Sequence, residues 1–159
     1  MKKGILILLF ISFISNAYCL EIKLLVRPVF GSNNILVSDT SYLISTGSEI
    51  TFRTLKFYLS NLRFFNKDEI VYTEKNSFHL IDLNDESSMK IQLDIGDPVN
   101  YSGITFNLGI DSLTNVSGAF GGELDPMHGM YWTWQSGYIN FKLEGSCINC
   151  PDPSKDFEF

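Results

Sequence analysis

Residues 103–145 read GITFNLGIDSLTNVSGAFGGELDPMHGMYWTWQSGYINFKLEG, and this stretch is the most informative about the fold. It opens with an alternating run at residues 104–108 and closes with another at residues 138–143. Both runs are rich in β-branched and aromatic residues, as half-buried strands are. The glycines and the Asp-Pro pair between them favour turns and provide little apolar surface. The stretch therefore predicts two strands that bracket a long loop lying outside the core.

The rest of the chain predicts more short strands. Residues 50–65 form the longest alternating segment, and the period of two set by Leu55, Phe57 and Leu59 continues through Phe64, which predicts a central strand. Residues 77–83 alternate as another strand and place His79 on one face with apolar neighbours. Turn signals recur at intervals of roughly eight to twelve residues, and no helix of useful length is evident. This pattern predicts an all-β, antiparallel β-sandwich-like domain or a barrel.

The N-terminus has the layout of a secretory signal peptide in residues 1–19. Lys2 and Lys3 precede an apolar run that is too short to span a membrane, and the segment ends in Ala17-Tyr18-Cys19. A lipoprotein signal has a small residue where Tyr18 stands, so we expect cleavage before Leu20 rather than lipidation of Cys19. Residues 20–159 would then form one domain, periplasmic or secreted, with no membrane span.

The charge of the chain excludes one class of partner. The formal net charge is −6, and removal of Lys2 and Lys3 with the signal peptide lowers it to −8. Nucleic-acid binding depends on a basic patch that neutralises phosphates. The composition therefore indicates a protein that binds no nucleic acid and suits one that binds cations.

Two cysteines, Cys147 and Cys150, would remain after cleavage. Pro151 follows them where covalent haem attachment requires histidine, and a single pair is too few for a structural zinc site. A redox-active dithiol usually opens a helix in a βαβ unit, which nothing here predicts. In an oxidising compartment the favoured interpretation is a local disulfide that tightens a turn.

The order of the motifs GIDS, GAFGGELDP and GMYWTWQSGYINFKLEG resembles the MbnP-like family of periplasmic proteins, related to the copper-binding partner found in methanobactin operons. The resemblance covers roughly residues 21–145. It implies a secreted β-sandwich-like domain that binds copper. It also implies a tryptophan oxidised to kynurenine by a dihaem cytochrome c peroxidase-like partner and placed beside histidines at the metal. Relatives usually continue for several more strands, so we expect a chain truncated at Phe159, with further ligands beyond it.

Four side chains are candidate copper ligands, because imidazole binds copper in both oxidation states and thioether favours Cu(I). Met127, His128 and Met130 crowd together in the long loop. The alternatives are an exposed loop histidine and, for Met130, a core residue beneath the tryptophans. His79 is favoured because its Phe-His-Leu-Ile-Asp segment resembles a recurrent position of the family. Its alternative is a half-buried strand histidine with a satisfied hydrogen bond.

Trp132 and Trp134 share a face if they lie in a strand, and the resemblance makes them candidates for oxidative modification. Large aromatic residues of this kind also commonly fill a sandwich core. The chain has neither a nucleophile elbow nor a phosphate-binding glycine loop at a strand-to-helix junction, so we expect no enzyme activity. The competing hypothesis is a metal-free cell-envelope interaction module with an exposed patch of Tyr131, Trp132 and Trp134.

Overall fold

The computed structural model describes residues 21–37, 40–96, 100–133, 137–150 and 156–159. The expected signal peptide and Trp134 lie outside these residues. The strands are β1 (Glu21–Leu25), β2 (Val29–Phe30), β3 (Asn33–Asn34), β4 (Ser41–Leu43), β5 (Glu49–Asn66), β6 (Glu69–Thr73), β7 (Phe78–Asp82), β8 (Lys90–Asp94), β9 (Gly103–Leu108), β10 (Tyr131–Trp132), β11 (Gly137–Tyr138), β12 (Phe141–Ile148) and β13 (Asp156–Glu158). The helical elements are α1 (Ser112–Val116) and two 3-10 turns, Gly122–Leu124 and Pro126–His128. The all-β prediction is confirmed. None of the described helices is long and apolar enough to cross a membrane.

Strand β5 organises the main sheet. On one flank it pairs in turn with β4, β7 and β6, and on the other with β12 and then β9. Strand β13 extends the sheet beyond β12. All of these pairings are antiparallel, so the predicted central strand is confirmed.

The alternation of β5 breaks at Asn61, where the predicted period of two is wrong. Asn61 has a φ of 54°, a left-handed conformation that asparagine tolerates better than most residues. The register with β9 shifts between Ser60 and Arg63. As a result Leu59 and Phe64, which differ in parity, both pack in the same core cluster.

One face of the main sheet packs against a smaller sheet formed by β1 and β8. Alternate residues of the two sheets meet in an apolar interior, which gives a sandwich-like arrangement. The buried members of this core are Leu55, Phe57, Leu59, Phe64, Ile81, Ile91 and Leu93.

The opposite face of β5 and β7 is covered by residues 109–133 and 137–140. Tyr58 and Leu80 from the sheet pack against Leu124, Met130 and Tyr138 from this segment, and all five are buried. The prediction that the loop lies outside the core is therefore wrong. Because both faces of β5 and β7 are apolar, the sheet needs a cover on each side, and the loop provides one of them.

Candidate metal site

A cavity of about 370 Å³ lies along the outer edge of β7. The outward backbone N–H groups of this edge bond to side chains. Leu80 N donates to Glu123 Oε2 at 3.1 Å, and Asp82 N donates to Ser88 Oγ at 2.9 Å. The Glu123 and Ser88 side chains therefore take the hydrogen bonds of this edge, and the cavity lies beside them.

Both histidines of the chain line this cavity. His79 projects from β7, and His128 ends the 3-10 turn that begins at Pro126. Asp125 caps that turn, because its Oδ1 accepts the Met127 N–H at 2.8 Å. Gly129 follows as the C-cap residue, with a φ of 71° that glycine adopts without strain.

Lys56 holds the His128 turn against the sheet. Its Nζ lies 2.9 Å from Asp82 Oδ2 on β7 and donates to the His128 carbonyl oxygen at 3.2 Å. The ammonium group therefore joins β5, β7 and the turn. This contact fixes the turn on the Leu80 face of β7, whereas His79 shares the other face with Ile81, so the two histidines line the cavity from opposite sides of the strand edge.

Each imidazole ring has its Nε2 next to an oxygen acceptor. His79 Nε2 lies 2.8 Å from Glu74 Oε2, and His128 Nε2 lies 3.1 Å from the Gly122 carbonyl oxygen. A carbonyl or carboxylate oxygen accepts a hydrogen bond, so Nε2 is the donor in both rings. An imidazole that carries its only proton on Nε2 has a lone pair on Nδ1, and a metal ion binds a histidine through such a lone pair.

The lining of the cavity favours a cation. It contains the carboxylates of Asp82, Asp85 and Glu123 and the ammonium group of Lys90, and Lys56 pairs with Asp82, so the carboxylates still outnumber the ammonium groups by one. Hydrogen bonds from the Ser87 hydroxyl and backbone N–H lower the pKa of Asp85 below its usual value, so this carboxylate stays ionised. Beneath Glu123, burial raises the pKa of Tyr58 above its usual range, and its neutral hydroxyl donates to the Glu123 carbonyl oxygen at 3.2 Å.

The structure does not bring the predicted methionine donors to this cavity. The Met127 residue is 90% exposed, whereas Met130 is 0% exposed and packs in the core with Tyr58 and Leu80. Neither lines the cavity with His128. Among the described residues, no group of three or more His, Cys, Asp or Glu side chains could hold a metal ion.

The aromatic hairpin of β10 and β11 divides its side chains between core and surface. Tyr131 packs edge-on against Tyr138 with ring centroids 4.9 Å apart, and Trp132 is 37% exposed. Trp134 lies outside the described residues. Of the patch expected for an interaction module, Trp132 is therefore the described member that is exposed, while Tyr131 is half-buried.

Cys147 and Cys150 form a disulfide at the end of β12, with their Cα atoms 5.7 Å apart. Neither cysteine lines the cavity. The side chains that the sequence reasoning missed are Glu74 and Lys56, which contact the two histidine segments without lining the cavity. Glu74 is in a turn and Lys56 is on a different strand from either histidine, so no periodic pattern connects them.

The family model for MbnP matches residues 20–159 of the chain. The chain belongs to the MbnP family. Among solved structures, MbnP from Methylosinus trichosporium superposes with a TM-score of 0.61 at 12% sequence identity. The match covers 89% of this chain and 61% of that one, so the chain spans about three fifths of the length of this relative. At this identity the likeness shows the MbnP fold. A comparison with curated proteins found no match.

Proposed function

We propose that this MbnP-family chain is an exported copper-binding protein in which His79 and His128 hold the ion. The observation that supports the proposal is that both histidines of the chain, from separate elements, line one cavity. Family membership adds support, because it suggests a protein associated with methanobactin-type operons. The expected signal peptide supports a periplasmic location.

The residues of the cavity fit copper. Imidazole is a ligand for copper in both oxidation states, and the carboxylate-rich lining favours a cation over an anion. Bound copper would supply one redox-capable or Lewis-acidic centre. The Glu74 side chain and the Gly122 backbone carbonyl hold the rings, since each occupies one Nε2. Because the described residues contain no group of three ligands, the two imidazoles are the proposed protein donors among them.

A Cu(I) competition titration tests this assignment on the chain exported to a bacterial periplasm. We expect His79→Ala and His128→Ala each to weaken copper affinity by at least about tenfold, because even residues that only support a ligand have effects of that size. Gln92→Ala, which alters the cavity lining without removing an imidazole, is the matched control. Wild-type affinity in both histidine variants would overturn the proposal.

The methionines provide a second comparison in the same titration. We expect Met130→Leu to leave copper affinity unchanged, because Met130 is buried in the core rather than at the cavity. Met127→Ala should also bind copper as the wild type does, because Met127 projects from the turn into solvent. A loss of affinity in either variant, with the fold intact, would move the proposed site from β7 to the loop.

We also propose that Trp132 or Trp134 is oxidised to kynurenine by a dihaem peroxidase-like partner that uses hydrogen peroxide. Two peroxide molecules provide the two oxygen atoms that cleave the indole C2–C3 bond and form N-formylkynurenine and water. Hydrolysis then releases formate and leaves kynurenine. The exposure of Trp132 on its hairpin supports access by an enzyme.

Peptide mass spectrometry after export with and without the partner enzyme tests the step, with Trp132→Phe and Trp134→Phe identifying the residue. Two unmodified tryptophans in the presence of the enzyme and peroxide would contradict it.

A further inference from the structure

Glu74 contacts the His79 ring at Nε2 without lining the cavity itself. His79 Nε2 and Glu74 Oε2 are 2.8 Å apart, and their side chains are 20% and 15% exposed. His79 lines the cavity, whereas Glu74 does not. The carboxylate therefore contacts the His79 ring from outside the cavity lining.

Glu74 is held in place by the turn that precedes β7. The Ser77 hydroxyl donates to the same Glu74 Oε2, and Ser77 Oγ accepts the Leu62 N–H at 2.9 Å. Ser77 is buried, so this hydroxyl has a fixed position. A carboxylate that receives bonds from both Ser77 and His79 has little freedom to turn away from the ring.

The turn before β7 is anchored to the irregular part of β5. Asn61 N donates to the Ser77 carbonyl oxygen at 3.2 Å, and Glu74 N donates to the Leu62 carbonyl oxygen at 3.0 Å. These bonds occur where Asn61 adopts its left-handed conformation and the β5 register shifts. The break in β5 thus provides the backbone groups that fix the position of Glu74.

We infer that Glu74 is a positioning residue that keeps the proton of neutral His79 on Nε2 and directs Nδ1 toward copper. The inference rests on the proposed copper site. In metal sites, a ligating histidine commonly donates its other N–H to a carboxylate, which fixes the tautomer and the ring orientation. Ser77 supports the same arrangement through Glu74. No change in the number of ligands is required, because Glu74 acts only through the His79 ring.

The first experiment uses metal-free, ¹⁵N-labelled protein, so that it is independent of copper binding. Histidine ring ¹H–¹⁵N correlation spectra at about pH 8, above the ordinary imidazole pKa, identify the tautomer of each ring. We expect the wild-type His79 ring to carry its proton on Nε2, and Glu74→Gln to convert it to a mixture of tautomers. Glu69→Gln, a matched change at an exposed glutamate of β6, should leave the spectrum unchanged. A wild-type proton on Nδ1 would overturn the inference.

The second experiment measures Cu(I) affinity for the same variants, with circular dichroism as the check on folding. We expect Glu74→Gln to weaken binding by about 10- to 100-fold and Glu69→Gln to have no effect. If His79→Ala loses affinity while Glu74→Gln binds as the wild type does, the positioning role is wrong and the copper site stands. If His79→Ala itself binds normally, His79 is not a ligand, and the positioning role fails together with that part of the proposed function.

Discussion

Gly145 of β12 occupies a position that has no space for a side chain. A Cβ atom there would collide with the Thr51 carbonyl oxygen of β5 and with the Phe157 ring of β13. The β12–β5 register also shifts between Glu144 and Gly145. The last glycine of the quoted motif is therefore explained by sheet packing rather than by the cavity.

We predict that Gly145→Ala lowers the free energy of unfolding by about 1–3 kcal/mol, as overpacking in a well-packed interior does. The collision with the Thr51 backbone leaves little room for relaxation. Urea denaturation measures the effect. Gly121→Ala is the control, because a Cβ there meets no atom within 4 Å. Equal stability of the two variants would show that the Phe157 contact is not formed in solution.

At the residue scale, the sequence could predict which donors exist but not which of them meet. His79 follows from its strand pattern, and its contact with Glu74 depends on a turn that no periodicity describes. Met127 and Met130 are close in sequence to His128, yet the short 3-10 turn and Gly129 send one into solvent and the other into the core. Proximity in a loop therefore predicts little about shared coordination.

Among the elements, helix α1 begins the segment that covers the second face of the sheet. Asp111 is its N-cap, with Oδ1 accepting Thr114 N at 2.9 Å and Oδ2 accepting Thr114 Oγ1 at 2.7 Å. From the same helix, the Asn115 side chain accepts the Tyr138 N–H. Loss of the cap is expected to loosen the contact between α1 and β11.

The Thr114 hydrogen bonds lower the pKa of Asp111 below its usual value. A depressed folded-state pKa contributes stability above the unfolded value of about 3.9, and this contribution is lost as pH falls through the folded pKa. We predict that Asp111→Ala lowers the free energy of unfolding by about 1 kcal/mol at neutral pH.

For Asp111→Asn, which retains a capping side chain, we expect the stability difference from the wild type to shrink as the pH falls below about 4. Thermal unfolding at neutral and acid pH measures this. Asp68→Asn, the same change at an exposed turn position, is the matched control. A constant difference between Asp111→Asn and the wild type at all pH values would show that the ionised cap contributes nothing.

The strands were predictable because alternation is a local pattern. The role of residues 109–133 and 137–140 as a cover for the second sheet face was not predictable from any local pattern. Gly118, Gly121 and Gly122 mark the segment as a loop, but burial of Leu124 and Met130 depends on the apolar second face of β5 and β7. That face becomes evident only when the strands are paired. The outer edge of β7, and the cavity along it, likewise depends on the pairing.

Considered as a whole, the described part of the molecule leaves some of one sheet face uncovered. The small β1–β8 sheet leaves an apolar groove of about 390 Å³ between β1 and β9. Phe106 and Leu108 of β9 line the groove and are exposed. Among the described strands, β9 pairs with β5 alone, so its other edge carries unpaired backbone groups. Exposed apolar strand edges promote association.

We predict that the chain self-associates with increasing concentration and that Phe106→Lys reduces this association, because a charge on an edge strand opposes edge-to-edge pairing. Sedimentation equilibrium measures the effect. Phe120→Lys, which changes an exposed phenylalanine of the covering segment, is the control. A wild-type chain that stays monomeric throughout the concentration range would contradict the prediction.

We propose that copper binds through two imidazole rings at the outer edge of β7. X-ray absorption spectroscopy at the copper edge of the Cu(I)-loaded chain tests it most directly, because it distinguishes nitrogen from sulfur ligands. We predict imidazole scattering that is reduced in both His79→Ala and His128→Ala and unchanged in Met127→Ala. A first shell dominated by sulfur, or imidazole scattering that is undiminished in His79→Ala, would contradict the proposed site.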